Sequence, residues 1–303
     1  MRKKKKLLIA GGTGFIGFHL ANTASKKGWE ITSISTKKPS SKRKVKKVKY
    51  LICNINNKNK LKKISLLKFD YVVNLSGYVD HSNKLKTLKS HYFGCKNLAE
   101  VFINKSLLSF VQMGTSLEYG KSKSPHLENT KCRPISIYGK SKFYSTKYLL
   151  FLHKKYNFPS TVLRLYQSYG EHQNFNRLIP HVIKNCLNKK KFPCSDGSQF
   201  RDFIHVTDVV NVIIKTLRTS KARGEIFNIG TGKATQVKKI IYKINEIIKN
   251  GSPQFGKIKL RKEENKKTYP NIKKAKKLLN WNPQINLDKG LLRTIKYYEK
   301  NFS

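Results

Sequence analysis

Acidic residues are scarce in this sequence. Only 16 aspartates and glutamates stand against 64 lysines and arginines, so the 303 residues carry a formal net charge of +48. Such a surface attracts anions, including nucleic acid, anionic membranes and phosphorylated metabolites. The lysines are spread along the whole chain, and no aromatic-studded basic motif accompanies them. We therefore expect solvated lysine-rich faces, and neither a specific nucleic-acid partner nor a membrane partner.

Paired cysteines and long apolar runs are also missing. The five cysteines show no CxxC or zinc-ligand spacing, which favours free thiols in a reducing cytosol, and no metal site is expected. The basic Arg2–Lys6 and apolar Leu7–Ala10 resemble the start of a signal peptide, but glycines interrupt the run at once. Because no other stretch is long enough to span a membrane, the sequence predicts a cytoplasmic protein.

Apolar strands alternate with helical stretches in the first half of the chain. Strands are predicted at Lys6–Ala10, Glu30–Ser35, Val48–Ile55, Asp70–Leu75, Phe110–Gly114 and Thr161–Leu165, and helices at Gly14–Lys27, His91–Lys105 and Ser136–Lys155. After Tyr169 the alternation loosens, with helices predicted at Thr207–Thr219, Val237–Lys249 and Ile272–Leu279 and a strand at Glu225–Ile229. This order is typical of an α/β fold, the doubly wound parallel Rossmann sheet covered by helices on both faces.

A glycine-rich loop follows the first strand. Gly11, Gly14 and Gly17 have GxxGxxG spacing, and the motif, which includes Phe15 and Ile16, leads into the helix predicted at Gly14–Lys27. Glycines at these positions let the backbone turn tightly and approach a pyrophosphate, which the N–H groups of the helix N-terminus bind. Because the loop joins the first strand to the first helix, it predicts a dinucleotide-binding site.

The end of the second strand lacks the acidic residue that usually holds the ribose hydroxyls of NAD. Ser35, Thr36, Lys37 and Lys38 occupy that place. Hydroxyl and ammonium groups suit a 2′-phosphate, so this segment favours NADP. NAD stays open, because lysine is abundant throughout the chain.

A tyrosine and a lysine lie four residues apart in a predicted helix. At this spacing Tyr138 and Lys142 share one face. A nearby ammonium favours the phenolate, so the pattern predicts a lowered tyrosine pKa. Such a tyrosine exchanges a proton with a sugar oxygen while a hydride moves.

Several motifs occur in a characteristic order over nearly the whole chain. They are the glycine loop, Thr115–Gly120, Tyr138–Lys142, Leu163–Gly170, Asp196–Asp208, Phe227–Gly230 and Leu279–Pro283. Together they resemble the extended short-chain dehydrogenase/reductases of the NAD-dependent epimerase/dehydratase family, which modify nucleotide sugars.

The resemblance implies roles for matching positions. Thr115 would hydrogen-bond the sugar oxygen beside Tyr138, and Lys142 would also bind the nicotinamide ribose. Further cofactor contacts are implied for Asn54, which replaces a usual aspartate, and for Ile55, Leu75, Ser76 and Gly77. Substrate contacts are implied for Gln167, which replaces a usual asparagine, and for the arginines Arg177, Arg201 and Arg261.

The resemblance also implies the organisation of the chain. We expect residues 1–170 to form the NAD(P)-binding Rossmann domain and residues 171–303 mainly a sugar-nucleotide-binding lobe. Segments 201–217 and 225–230 are expected to return to the first domain. A homodimer is expected through the two helices that flank the fifth strand, predicted at His91–Lys105 and Ser136–Lys155.

The two residues after Thr115 differ from those of the family's dehydratases, and this difference limits the reactions that we expect. Dehydratases carry Asp-Glu after the threonine, where this chain has Ser116 and Leu117, so dehydration is not expected. We expect reduction of a nucleoside-diphosphate 4-keto-6-deoxyhexose for surface polysaccharide. A reductase consumes NADPH, and the residues after the second strand lack the acidic residue that is typical of NAD sites. A nucleotide-sugar 4-epimerase is the alternative. A more remote one is a non-catalytic nucleotide-sensing or nucleic-acid-binding Rossmann protein.

Overall fold

The computed structural model describes residues 4–78, 80, 82–260 and 265–301. Its strands are β1 Lys6–Ala10, β2 Glu30–Ser35, β3 Val48–Ile52, β4 Tyr71–Asn74, β5 Ser109–Thr115, β6 Ser160–Leu165, β7 Gln167–Tyr169, β8 Lys191–Pro193, β9 Phe200–Arg201, β10 Phe203–His205, β11 Ile226–Ile229, β12 Thr235–Gln236, β13 Ser252–Gln254 and β14 Lys267–Thr268. Its helices are α1 Phe15–Lys26, α2 Lys58–Ser65, α3 Lys84–Leu88, α4 Gly94–Glu100, α5 Ile137–Tyr156, α6 Leu178–Leu187, α7 Val206–Leu217, α8 Val237–Ile248, α9 Lys273–Leu279 and α10 Leu287–Lys300.

Seven parallel strands form the main sheet in the order β11-β6-β5-β4-β1-β2-β3. The strand order reverses between β1 and β4, and ligands of such sheets bind at the carboxyl ends of the strands beside this reversal. The α/β fold predicted from the sequence is confirmed. β11 pairs with β6, so residues 226–229 extend the main sheet at its edge.

Three hydrophobic clusters hold the layers together. One lies on the sheet face covered by α1 and α7, and a second lies on the face covered by α2, α4 and α5. The third joins α6, α8 and α10 around Phe192 and Tyr169. This third cluster and the small two- and three-stranded sheets lie outside the main sheet, and a cavity is lined by residues of this region.

Several predicted boundaries were wrong. Strand β3 ends at Ile52, because the chain turns at once toward the cap of α2, where the Asn57 side chain accepts from the Lys60 N–H. The helix predicted at His91–Lys105 begins at Lys84 instead, passes a π-helical turn at Lys89–Phe93 and ends at Glu100. Helices α2, α6 and α10 were not predicted.

The cysteines and the helices agree with two smaller expectations. All five cysteines are free thiols. Among the described residues, every helix is too short or too polar to cross a membrane.

Candidate active site

The glycine loop closes tightly between β1 and α1. Gly11 has a φ of +86°, and a Cβ there would lie 2.8 Å from the backbone of Leu75. A Cβ at Gly17 would lie 2.2 Å from the Gly11 carbonyl oxygen. Gly14 precedes α1 and offers no capping side chain. The first-turn N–H groups, which include those of Phe15 and Ile16, are therefore suited to bind an anion, and the loop fits a dinucleotide pyrophosphate.

The segment after β2 lies at the surface beside this loop. The Ser35 hydroxyl donates to the Ile34 carbonyl, while Thr36, Lys37 and Lys38 are exposed. Sequence reasoning missed Arg43, which follows in the same loop and donates to the Thr13 carbonyl at 3.5 Å and to Asn174 Oδ1 at 2.7 Å. The cationic character expected here is present, but this geometry suits NAD as well as NADP.

The remaining predicted cofactor residues lie along the carboxyl ends of β3 and β4. Asn54 is exposed, and its side chain accepts from the Asn56 N–H at 3.0 Å, whereas Ile55 is buried. The Leu75 N–H donates to the Ala10 carbonyl at 2.8 Å, so the segment 75–77, which includes Ser76 and Gly77, runs beside the glycine loop. Their roles in binding a cofactor stay predictions.

Thr115, Tyr138 and Lys142 come together at the end of β5. The Thr115 hydroxyl is within hydrogen-bonding reach of the Tyr138 hydroxyl. Lys142 Nζ donates to the Met113 carbonyl at 2.8 Å and lies 5.9 Å from the Tyr138 ring centroid. Ser136 caps α5 by accepting from the Gly139 N–H, so the helix begins one residue before Tyr138.

The expected lowering of the tyrosine pKa is wrong for the chain without a cofactor. Burial raises the pKa of Tyr138 to about 12, although the Thr115 hydrogen bond opposes it. Burial lowers the pKa of Lys142 to about 8. Desolvation penalises both charged forms, and Lys142 directs its ammonium to a carbonyl instead of to the phenol.

His91, which sequence reasoning treated as an ordinary polar residue, lies against Tyr138. Its ring packs edge-on against Tyr138, with centroids 4.8 Å apart, and its Nε2 lies 3.1 Å from the Tyr78 carbonyl. A Cβ at Gly77 would lie 2.1 Å from this ring. The absence of a side chain at Gly77 therefore leaves room for the His91 ring to pack against Tyr138.

Residues between Gln167 and Leu260 line a cavity of about 400 Å³. Gln167, Arg177 and Arg201 line it, as expected, together with Lys259 and His181, which sequence reasoning missed. Arg177 lies near enough to Tyr138 to lower its pKa. No carboxylate is found among the described residues that line the cavity, so it suits an anionic ligand. Arg261 lies outside the described residues.

Comparisons with known proteins identify the family of this chain. The sequence model of the NAD-dependent epimerase/dehydratase family matches residues 7–230. The UDP-glucuronate 4-epimerase of Thermodesulfobacterium geofontis is 26% identical over 97% of this chain and 96% of its own length.

Two solved structures share the fold. UDP-glucose 4-epimerase from Thermotoga maritima, solved with UDP-glucose, superposes with a TM-score of 0.93 at 25% identity, over 98% of this chain and 100% of that chain. UDP-glucuronic acid 4-epimerase from Bacillus cereus, in complex with UDP-glucuronic acid and NAD, has a TM-score of 0.89 at 25% identity, over 98% and 99%. The predicted enzyme class and family resemblance are confirmed. This chain belongs to the NAD-dependent epimerase/dehydratase family.

Proposed function

We propose that this chain is a nucleoside-diphosphate-sugar 4-epimerase that uses NAD. The observation that carries the proposal is that Thr115, Tyr138 and Lys142 come together at the end of β5, near a cationic cavity that has no carboxylate among its described lining residues. The relatives reported above are named 4-epimerases, which favours epimerisation over the reduction expected from the sequence.

Three side chains of the protein have separate roles in this reaction. Tyr138, in its phenolate form, removes the proton from the sugar 4-hydroxyl and returns it later, and Thr115 holds the same oxygen. Lys142 is well placed to bind a ribose hydroxyl, since its ammonium already lies in a buried polar position. The glycine loop and the N-terminus of α1 would hold NAD, which would supply a hydride acceptor and donor for the sugar carbon.

The cavity supplies the binding energy for the nucleotide. Arg177, Arg201 and Lys259 are suited to neutralise the diphosphate, and the guanidinium groups can bind its oxygens in pairs. The Gln167 amide, which also lines the cavity, is suited to hydrogen-bond a sugar hydroxyl. The uridine nucleotides of the two structural relatives make UDP-sugars the first candidates.

The other reactions of the family are less well supported. Ser116 and Leu117, which follow Thr115, lack the acid–base groups that dehydration requires. Reduction of a 4-keto sugar consumes NADPH, and its main support is the cationic segment after β2. Identifying the cofactor that denaturation releases from the purified protein decides between NAD and NADP.

The test is incubation of the purified protein with UDP-glucose, UDP-galactose and UDP-glucuronate, without added reduced nicotinamide. We expect one of these sugars to equilibrate with its 4-epimer, as followed by anion-exchange chromatography. Consumption of NADPH with a 4-keto sugar, without any interconversion, would support the reductase instead.

A further inference from the structure

A fully buried carboxylate lies beneath the catalytic group. Glu118 ends the 3₁₀ turn Ser116–Glu118, which follows Thr115 directly, and none of its surface is exposed. Its Oε1 accepts from the Thr115 N–H at 3.0 Å. Its Oε2 accepts from Arg164 Nε at 2.9 Å and from the Thr146 hydroxyl at 2.8 Å. One carboxylate thus joins β5, β6 and α5, and two of these elements supply the catalytic side chains.

Arg164 holds this carboxylate from a position that is itself buried. Only 2% of its surface is exposed, its NH1 donates to the Glu128 carbonyl at 3.3 Å, and its guanidinium lies 4.6 Å from the Tyr119 ring centroid. A buried ion pair adds little net stability, because desolvating both charges offsets their attraction. A backbone N–H at a strand end needs no charged acceptor, so stability alone is a weak reason for this pair.

The geometry around Glu118 leaves Thr115 little freedom. A Cβ at Gly114 would lie 2.6 Å from Glu118 Oε1, and a Cβ at Gly139 would lie 2.6 Å from the Leu117 carbonyl oxygen. The Thr115 hydroxyl also accepts from the Leu117 N–H at 3.4 Å. A shift of the carboxylate would therefore move the backbone of Thr115 relative to the start of α5.

We propose that Glu118, held by Arg164, is a positioning residue that sets the separation of the Thr115 and Tyr138 hydroxyls. It acts through Thr115 and through the Thr146 link to α5, and it does not touch substrate. The inference rests on the proposed function, because it concerns how the same catalytic group is aligned.

The charge of Glu118 also affects the pKa of the residues around it. The carboxylate raises the pKa of both Tyr138 and Lys142, although burial is the larger influence on each. Among the described residues, Arg164 on β6 and the Cys132 thiol also interact with this carboxylate, Cys95 acts on Lys142, and Arg177 acts on Tyr138 from the cavity. Removing the negative charge should therefore lower the pKa of Tyr138.

The experiment compares Glu118→Gln with the double variant Glu118→Gln/Arg164→Met. The single variant leaves a buried guanidinium without its carboxylate, and the double variant keeps the protein testable if the single one does not fold. We expect kcat to fall by about 100-fold, as for a small misplacement of a reacting group, with KM changed by less than about threefold.

Matched variants separate alignment from general damage. Glu100→Gln removes a carboxylate that accepts from the Tyr148 hydroxyl of α5 at 2.8 Å and pairs with Lys58, and it should keep the wild-type kcat. Thr146→Val removes only the link to α5 and should give an intermediate kcat. A folded Glu118→Gln or double variant with a kcat within about twofold of wild type would overturn the proposal.

Titration of Tyr138 tests the same inference without turnover. Tyrosine ring-carbon NMR with NAD present follows the phenol, and Tyr138→Phe assigns its signal. The proposal predicts a lower Tyr138 pKa in whichever of the two Glu118 variants folds, and an unchanged titration would contradict it. Absence of epimerisation by the wild type would overturn the proposed function alone, because this titration would still decide the role of Glu118.

Discussion

At the scale of single residues, burial dominates the electrostatics of the catalytic pair. It raises the pKa of Tyr138 and lowers that of Lys142, so both charged forms are disfavoured in the chain alone. We therefore expect the burial of these two ionisable groups to lower the free energy of unfolding while it serves activity. Changes at these two residues should therefore separate activity from folding.

Removing the phenolic hydroxyl tests the proton transfer. In Tyr138→Phe we expect turnover to fall by at least about 1,000-fold, because the only transferable proton of this side chain is lost. Cofactor affinity, measured by calorimetry, should change little. Tyr156→Phe, a change at an exposed tyrosine of the same helix, is the control and should retain full activity. A Tyr138→Phe protein with most of its activity would contradict the mechanism.

Replacing the buried lysine tests the cost of its charge. The pKa of Lys142 falls from 10.5 to about 8, a difference of about 3 kcal/mol between its charge states. Between these values the unfolded chain binds more protons, so the free energy of unfolding rises with pH in this window. We expect Lys142→Met to be inactive, to unfold at higher denaturant concentration at pH 7, and to lose part of this rise. Equal pH dependence in both proteins would contradict the assignment.

At the scale of elements, the glycine loop and the helix after it were predictable because their signals are local. The GxxGxxG spacing reports backbone conformation directly, and the Ser136 cap together with the Tyr138–Lys142 spacing locates α5. Helix α6 was missed because its apolar residues pack into the cluster with α8 and α10, which is a tertiary contact. His91 and Glu118 were missed for the same reason, since their neighbours are distant in sequence.

Alanine substitutions at two glycines test how closely the glycine loop between β1 and α1 must pack. Gly11 and Gly28 have φ values of +86° and +76°, so alanine is strained at both. Only at Gly11 would the new Cβ also meet backbone atoms, whereas nothing lies within 4 Å at Gly28. We expect Gly11→Ala to weaken cofactor binding by at least about tenfold and Gly28→Ala to leave it unchanged. Equal affinity in both variants, measured by calorimetry, would contradict the placement of the cofactor.

At the scale of the whole molecule, the charge of +48 acts on every association. It should speed the capture of anionic sugar nucleotides and oppose the approach of a second copy of the chain. The expected homodimer would use the aromatic face of α4, α5 and the preceding turn, where Phe93, Tyr144 and Phe151 are 43%, 47% and 49% exposed. The sequence predicted the helices, but the exposure of these rings appears only in the fold.

The dimer prediction is tested by placing charge on that face. We expect a dimer at micromolar protein whose affinity increases with salt, because screening weakens the repulsion between like charges. Tyr144→Glu/Phe151→Glu should be a monomer in sedimentation equilibrium. Tyr242→Glu, at a ring on α8 with 43% exposure, should remain a dimer. A wild-type monomer at these concentrations would contradict the prediction.

A nucleotide sugar with deuterium at the sugar C4 gives the most direct test of 4-epimerisation. The purified protein would be incubated with each labelled UDP-sugar without added cofactor, and the products would be separated and examined by mass spectrometry and NMR. We expect the 4-epimer to form and to keep its deuterium, because the hydrogen leaves and returns within one site. A product that has lost the label to solvent, or transfer of the label to free nicotinamide without an epimer, would contradict it.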